Sequence, residues 1–298
     1  MQRLKNGVFP PFNMPRNRRI RVFKEEISFK EILFISDIEG FTPAHNAKLL
    51  KQITDKRIKL VVMAGDINSF LENGRNYFAI YDNATFAASL FFDSKEIKRL
   101  AKEKEVGVSD MEKFLIGQKI SKKIEQEHGK ALEEFFLFVD RCKERGVEIL
   151  YYSGNHDSML AYPRITFESD YIPLLERFRK KKNLHINPDL QVIYLNPNLF
   201  ITGIHVSVGS EHCNENTWLR ERAETLEEVI PYPEKTIFVS HIPGNLKYTK
   251  LGSADIRMFK RRYNFKYHFH GHCKDYYGEY LEEGVPTKSV HIREENLE

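Results

Sequence analysis

The sequence predicts an α/β fold with a largely parallel, covered sheet, and three observations carry that expectation. Short apolar or aromatic runs of strand length recur along the chain, bounded by Gly, Asp, Asn or Pro. Segments of helical pattern alternate with several of them, as βαβ units require. Polar groups stand just after the runs: Asp37 and Glu39, Gly65-Asp66, Gly154-Asn155-His156-Asp157, Ser240-His241 and Gly271-His272. The C-terminal ends of strands in an open α/β sheet gather such residues from distant sequence into one crevice.

The elements follow in order. Residues 1–23 hold Arg3, Lys5, Arg16, Arg18, Arg19 and Arg21 together with Pro10-Pro11, and read as an irregular, solvated basic arm. Runs at 32–35 (ILFI) and 60–63 (LVVM) read as strands, with a helix over 47–57 between them. Residues 71–145 interrupt the rhythm as a helical insertion. Its aromatic segment (Tyr77, Phe78, Tyr81, Phe86, Phe91, Phe92) precedes Lys/Glu-rich helices over 94–104, 109–127 and 130–145. Ser109 with Glu112 forms a capping-box pattern, and Gly146 closes the last helix. Because the insertion lies between two of the polar segments, it is either a cap beside them or an enlargement of the core.

Strands resume at 147–152 (VEILYY), 192–195, 199–201, 237–239 and 267–269, and a hairpin is expected where 276–281 and 287–292 flank Glu-Glu-Gly-Val-Pro. The basic run at 179–182 suits a helix C-terminus, where the helix dipole favours cations.

Composition bounds the function. A chain of 298 residues can form a single large domain. No apolar run approaches the ~18 residues that cross a bilayer, so no membrane partner is expected. Residues 1–21 are polar and basic, without a secretory apolar stretch. Three widely spaced cysteines, Cys142, Cys213 and Cys273, favour a reducing compartment, with the cytoplasm as the expected location. A net charge of +4 does not mark a nucleic-acid binder. P-loop, GxGxxG and GxSxG patterns are absent, which removes nucleotide motors, dinucleotide enzymes and serine hydrolases.

Carboxylates, an amide oxygen and imidazoles form a donor set that suits manganese, iron or zinc better than magnesium or calcium. A divalent metal, as one or two ions, could neutralise phosphoryl oxygens and activate water. Other groups read as ordinary structure. His205, His212 and Cys213 fit no closed zinc set, His268 packs or meets solvent, and Cys273 would face away from its neighbours. Lys247, Lys250, Lys260, Arg261 and Arg262 read as a solvated face, with an anion-facing rim as the alternative.

In order and residue type, the polar segments resemble the calcineurin-like metallophosphoesterase superfamily, whose pattern is DxH, GDxxD, GNH[DE], a lone His and GHxH. The resemblance spans residues 32–274, and GNHD is complete. It implies a metallophosphoesterase-like β-sandwich flanked by helices, and a metal-dependent phosphoesterase in which a metal-bound hydroxide attacks a phosphomonoester or phosphodiester. The partner would be a phosphorylated small molecule or nucleotide. Residue by residue, it implies that Asp66 bridges two metals, with Asn155, His241 and His272 completing one position. Asp37 would belong to the other. His156 would be the acid at the leaving oxygen, held by a partner such as Asp157.

The pattern departs at the second position. Glu39 replaces the His of DxH, Lys274 replaces the last His of GHxH, and Ser69 replaces the last Asp of GDxxD. Two readings stand. Glu39 and Lys274 pair across the vacated position, with Lys274 meeting phosphate, or the register slips and His270 joins His272 as a ligand. Two further functions remain open: a catalytically attenuated scaffold that binds a protein through the insertion, and a nuclease with the basic arm on nucleic acid.

Overall fold

The computed structural model describes residues 21–69, 71–72, 75–76, 88, 90–157, 173–188, 191–205, 230, 232–244, 252–272 and 278–290. In chain order these form β1 (Arg21–Val22), β2 (Ile32–Ile35), α1 (Pro43–Asp55), β3 (Leu60–Ala64), β4 (Leu71–Glu72), β5 (Arg75–Asn76), α2 (Ser94–Glu103) and α3 (Val108–Glu144). There follow β6 (Glu148–Tyr152), α4 (Pro173–Arg179), β7 (Leu184–Ile186), β8 (Ile193–Asn196), β9 (Leu199–Ile204), β10 (Thr236–Ser240), α5 (Ala254–Arg262), β11 (Tyr267–His270), β12 (Gly278–Glu282) and β13 (Val285–Ser289).

Two sheets result. One is four-stranded in the order β2-β3-β6-β7, every pair parallel. The other is seven-stranded in the order β1-β8-β9-β10-β11-β13-β12, with antiparallel pairs at β8–β9 and β12–β13. A strand sends alternate side chains to opposite faces, which explains why β3 is apolar throughout. Leu60, Val62 and Ala64 meet Ile201, Ile237 and Val239 of the facing sheet. Val61 and Met63 meet the helices on the outer face, among them Leu49 of α1 and Phe138 of α3. On the far side, α5 covers the larger sheet through Ile256 and Phe259 against Phe238. The architecture is a β-sandwich flanked by helices, as expected.

Several local expectations need correction. The helix expected over 47–57 begins at Pro43, because Thr42 caps it by accepting from the His45 amide at 3.2 Å and Pro43 suits the first turn. The helices expected over 109–127 and 130–145 are one, α3, of 37 residues. Ser109–Glu112 opens nothing, since the helix starts after Gly107 without a side-chain cap. A mid-helix glycine such as Gly129 costs about 1 kcal/mol against alanine. Burying Leu132, Phe135, Phe136 and Phe138 beyond it contributes roughly 1.5–3 kcal/mol each, so the helix runs through. The short strand β7 follows the helix end at the basic run and lies beside β6.

The insertion does two things. The second half of α3 joins the core over the smaller sheet, and Asn46 of α1 donates to the Glu134 carbonyl at 2.9 Å. It also borders the loop after β2, where Gly40 faces the Ala131 side chain. The arm over 1–20, the aromatics at 77, 78, 81 and 86, and His212, Cys213, Lys247, Lys250, Cys273 and Lys274 lie outside the described residues. The last residues of the arm, Arg21–Val22, pair with β8 at the sheet edge. Among the described residues no helix is long and apolar enough to cross a membrane.

Candidate metal centre

Five strands deliver the polar residues just beyond their C-terminal ends: β2 and β3 carry Asp37, Glu39 and Asp66, β6 carries Asn155 to Asp157, and β10 and β11 carry His241 and His272. The backbone there is unusual. Asp37, Glu39, Asp66 and His272 have φ of 55°, 54°, 50° and 66°, in the left-handed region that side chains avoid. Such strain costs of order 1–3 kcal/mol per residue and persists only where surroundings over-determine it. Here the loops lace together. Asp37 N donates to Gly65 O at 3.0 Å, Glu39 N to Asp66 O at 3.0 Å, and Gly271 N to His241 O at 3.0 Å. Gly154 and Gly271 allow the closest approaches, for a Cβ at Gly154 would collide with Asp66, and one at Gly271 with Ser36 and Asp37.

The tightest cluster centres on His241. Its Nδ1–H donates to Ala64 O at 2.8 Å, which leaves Nε2, the atom free to take a proton or a metal, facing Asn155 Oδ1 at 3.0 Å and Asp66 Oδ2 at 3.1 Å. The ligand atoms of Asp66, His241 and His272 lie within 4.8 Å of one another, and the two imidazoles cross edge to face at 5.0 Å. Three lone-pair donors converging in a buried place call for a cation. The same demand appears in protonation. Burial alone would lower the His241 pKa, yet the Asp66 charge and hydrogen bond carry it up to about 10. Burial likewise opposes ionisation of Asp66, and His241 and then His156 overcome it, bringing the carboxyl down to about 2. His272 goes the other way, down to about 4, through burial and then the neighbouring His241 charge. This donor set fits a divalent metal: Asp66, Asn155, His241 and His272 are the residues able to hold it. Asp37 stands behind them, accepting the His272 amide on both carboxylate oxygens at 3.1 Å and hydrogen-bonded by the Ser36 hydroxyl.

His156 is oriented by Glu39 rather than by Asp157, which corrects the expected partnership. Nδ1 of His156 donates to Glu39 Oε1 at 2.7 Å and lies 3.4 Å from Asp66 Oδ2. The Glu39 hydrogen bond, opposed by burial and aided by Asp66, lifts the His156 pKa to about 9. Glu39, Asp66 and His156 form a second group whose ligand atoms lie within 4.8 Å. Asp157 instead ties loops together. It accepts from Asn68 N at 2.7 Å, Gly154 N at 2.9 Å, Ile67 N at 3.1 Å and the Tyr151 hydroxyl at 2.6 Å. Its side chain is fully buried, and that burial with the Asp66 charge raises its pKa to about 7. A carboxylate holding three amides needs its lone pairs for them and has none aimed at the His156 ring.

The slipped register is not what assembles. His270 is buried with Nδ1 on Gly271 O at 2.8 Å and Nε2 on the Tyr280 hydroxyl at 2.6 Å, while His272 stands beside His241. His268 is buried too, its Nε2 2.8 Å from Ser240 Oγ. Of the basic cluster read as a solvated face, Lys260 is instead buried against Glu282 at 2.5 Å, while Arg261 is exposed and pairs with Glu283 at 2.8 Å. Tyr151, Asn68 and Ser36 support the site without having been anticipated. Only the tyrosine left a trace in sequence, as a polar-tipped aromatic in a strand buried on both faces.

The sequence matches the calcineurin-like phosphoesterase family over residues 30–273. No curated protein matches it. One solved structure aligns at TM-score 0.51 and 14% identity, covering 86% of this chain and 88% of that one, a likeness of fold. A second, the crystal structure of TT1561 of Thermus thermophilus, aligns at TM-score 0.49 and 12% identity over 87% and 89% of the two chains. The family match takes in every strand-end segment from Asp37 to His272, and the family as a whole supports a metal-dependent phosphoesterase. The chain belongs to the calcineurin-like phosphoesterase family.

Proposed function

We propose that this protein hydrolyses a phosphomonoester or phosphodiester with a divalent metal held by Asp66, Asn155, His241 and His272. The observation that carries the reading is the convergence of Asp66 Oδ2 and Asn155 Oδ1 on His241 Nε2, at 3.1 and 3.0 Å, with His272 alongside. A metal bound there supplies charge neutralisation for the phosphoryl oxygens and a water acidic enough to act at neutral pH. Manganese, iron or zinc matches the mixed oxygen and nitrogen donors.

The chain's own residues do the rest. Ala64 O keeps the His241 proton on Nδ1, so that Nε2 presents a lone pair. Glu39 holds Nδ1 of His156, which leaves the Nε2–H to hand a proton to the leaving oxygen. The His156 side chain is 30% exposed, within reach of a substrate, while Asp66 and His241 lie buried beside it. Glu39 spends one carboxylate oxygen on His156, and this supports a second position altered from the family pattern, with one metal bound tightly.

Elemental analysis tests the metal, and turnover of p-nitrophenyl phosphate and bis(p-nitrophenyl) phosphate with added manganese tests the chemistry. About one tightly bound metal per chain, with kcat lowered by roughly 10²–10⁴ in His156→Ala, is the expected result. Metal-free protein that turns over neither ester under manganese, iron or zinc would sink the proposal.

A further inference from the structure

Gly271-His272 is held from two sides by features already described: the Gly271 amide on His241 O and the His272 amide on Asp37. A third side is held by residues outside the ligand set. His270 Nδ1 lies 2.8 Å from Gly271 O, and its Nε2 lies 2.6 Å from the Tyr280 hydroxyl. A carbonyl can only accept, so the proton sits on Nδ1 and Nε2 carries a lone pair. Tyr280 must therefore donate, and the imidazole is locked in one tautomer and one orientation. His270 is fully buried, and its own carbonyl accepts from Val290 N at 2.9 Å.

We propose that Tyr280 and His270 form a hydrogen-bonded strut that sets the Gly271–His272 turn and thereby where His272 presents its ring to the metal. This rests on the reading of His272 as a metal ligand. Both are positioning residues. The physical case is one of cost. A buried imidazole must be fully paired to be tolerated, and the half-buried Tyr280 hydroxyl completes its pairing, whereas a leucine at 270 would satisfy burial without that demand. What the polar pair adds is direction. It pins a carbonyl next to a residue at φ 66°, a conformation that needs outside support to persist. The strut begins on β12, the outermost strand of the larger sheet, so it ties the metal turn to an edge that holds none of the candidate ligands.

Four variants test it: Tyr280→Phe, His270→Leu, His270→Asn, and Tyr280→Phe combined with His270→Asn. Asparagine keeps a donor close to the Nδ1 position and so retains the bond to Gly271 O without Tyr280. The measurement is cobalt affinity by competition with a chelator, together with the visible spectrum of the cobalt-loaded protein. Tyr280→Phe and His270→Leu are expected to bind about 10-fold more weakly with altered bands, while the metal-free protein stays folded. His270→Asn should bind near wild type, and adding Tyr280→Phe to it should change nothing further. Wild-type affinity and spectrum in both Tyr280→Phe and His270→Leu would overturn the strut.

Long-range ¹H–¹⁵N imidazole spectra of metal-free protein decide it even if no cobalt binds. His270 should be the Nδ1–H tautomer, and the His272 ring shifts should move in Tyr280→Phe. Unmoved His272 shifts overturn the strut, whereas failure of the wild type to bind cobalt overturns the metal reading and not this one.

Discussion

Neither Glu39 nor Asp157 performs the task that chain order suggests for it. Glu39 lies in the DxH segment, yet its carboxylate holds His156. Asp157 follows His156 directly, yet faces the amides of Ile67, Asn68 and Gly154. The Glu39 hydrogen bond is the largest influence raising the His156 pKa, from 6.5 to about 9, so the proton is held at neutral pH and lost as pH rises through about 9. In Glu39→Gln the alkaline limb of the pH–rate profile should therefore move to lower pH, toward the ordinary histidine value. An unmoved limb would show that His156 does not carry the proton. Asp157→Asn places an amide NH₂ against buried N–H donors and should cost about 2–4 kcal/mol in urea unfolding. Its effect should appear as lost stability rather than a displaced pH limb. The glutamate's role was hidden because His156 lies 117 residues away in sequence.

At the scale of elements, α3 shows how tertiary burial overrides a local signal. Residues 109–127 and 130–145 each read as helix, and His128-Gly129 looked like a break between them. Instead the helix continues past them, with buried residues Ile116, Ile120 and Ile124 on one side and Leu132, Phe135 and Val139 on the other. Gly129 remains an energetic weak point with open space where a Cβ would sit. Gly129→Ala should raise stability by about 1 kcal/mol in chemical denaturation, with the metal site unaffected. A destabilised Gly129→Ala would mean that the helix is broken there after all. Strands were easier to read, since β3, β6, β9 and β10 are buried on both faces and their apolar character survives any pairing. The hairpin was legible for a different reason. Its turn is tighter than the five residues expected, since Glu283-Gly284, both at positive φ, join strands that end at Glu282 and resume at Val285. The three residues of β7, Leu-His-Ile, carry too little pattern for its bounds to be read from the sequence.

Over the whole molecule, the candidate site spans two sheets: Asp66 and Asn155 come from one, His241 and His272 from the other. A metal bound across them should act as a fastener for the fold. Any ligand that binds only the folded chain stabilises it by RT ln(1 + [L]/Kd), about 2.7 kcal/mol at a hundredfold excess over Kd. Adding manganese should raise Tm, EDTA should reverse the rise, and His241→Ala should abolish it. A Tm indifferent to metal in the wild type would leave the cluster without its proposed occupant. By itself the sequence determined the α/β class, the strand cores, the order of the strand-end segments and the ligand-type residues of the main cluster. It could do so because burial pattern and residue chemistry are local properties. The pairing of two sheets, the continuity of α3, the partner of His156, the work of Asp157 and the choice of His272 over His270 were decided only by tertiary structure. Each depends on which lone pair meets which proton, or which apolar face meets which, across long stretches of chain, and no local pattern encodes that distance.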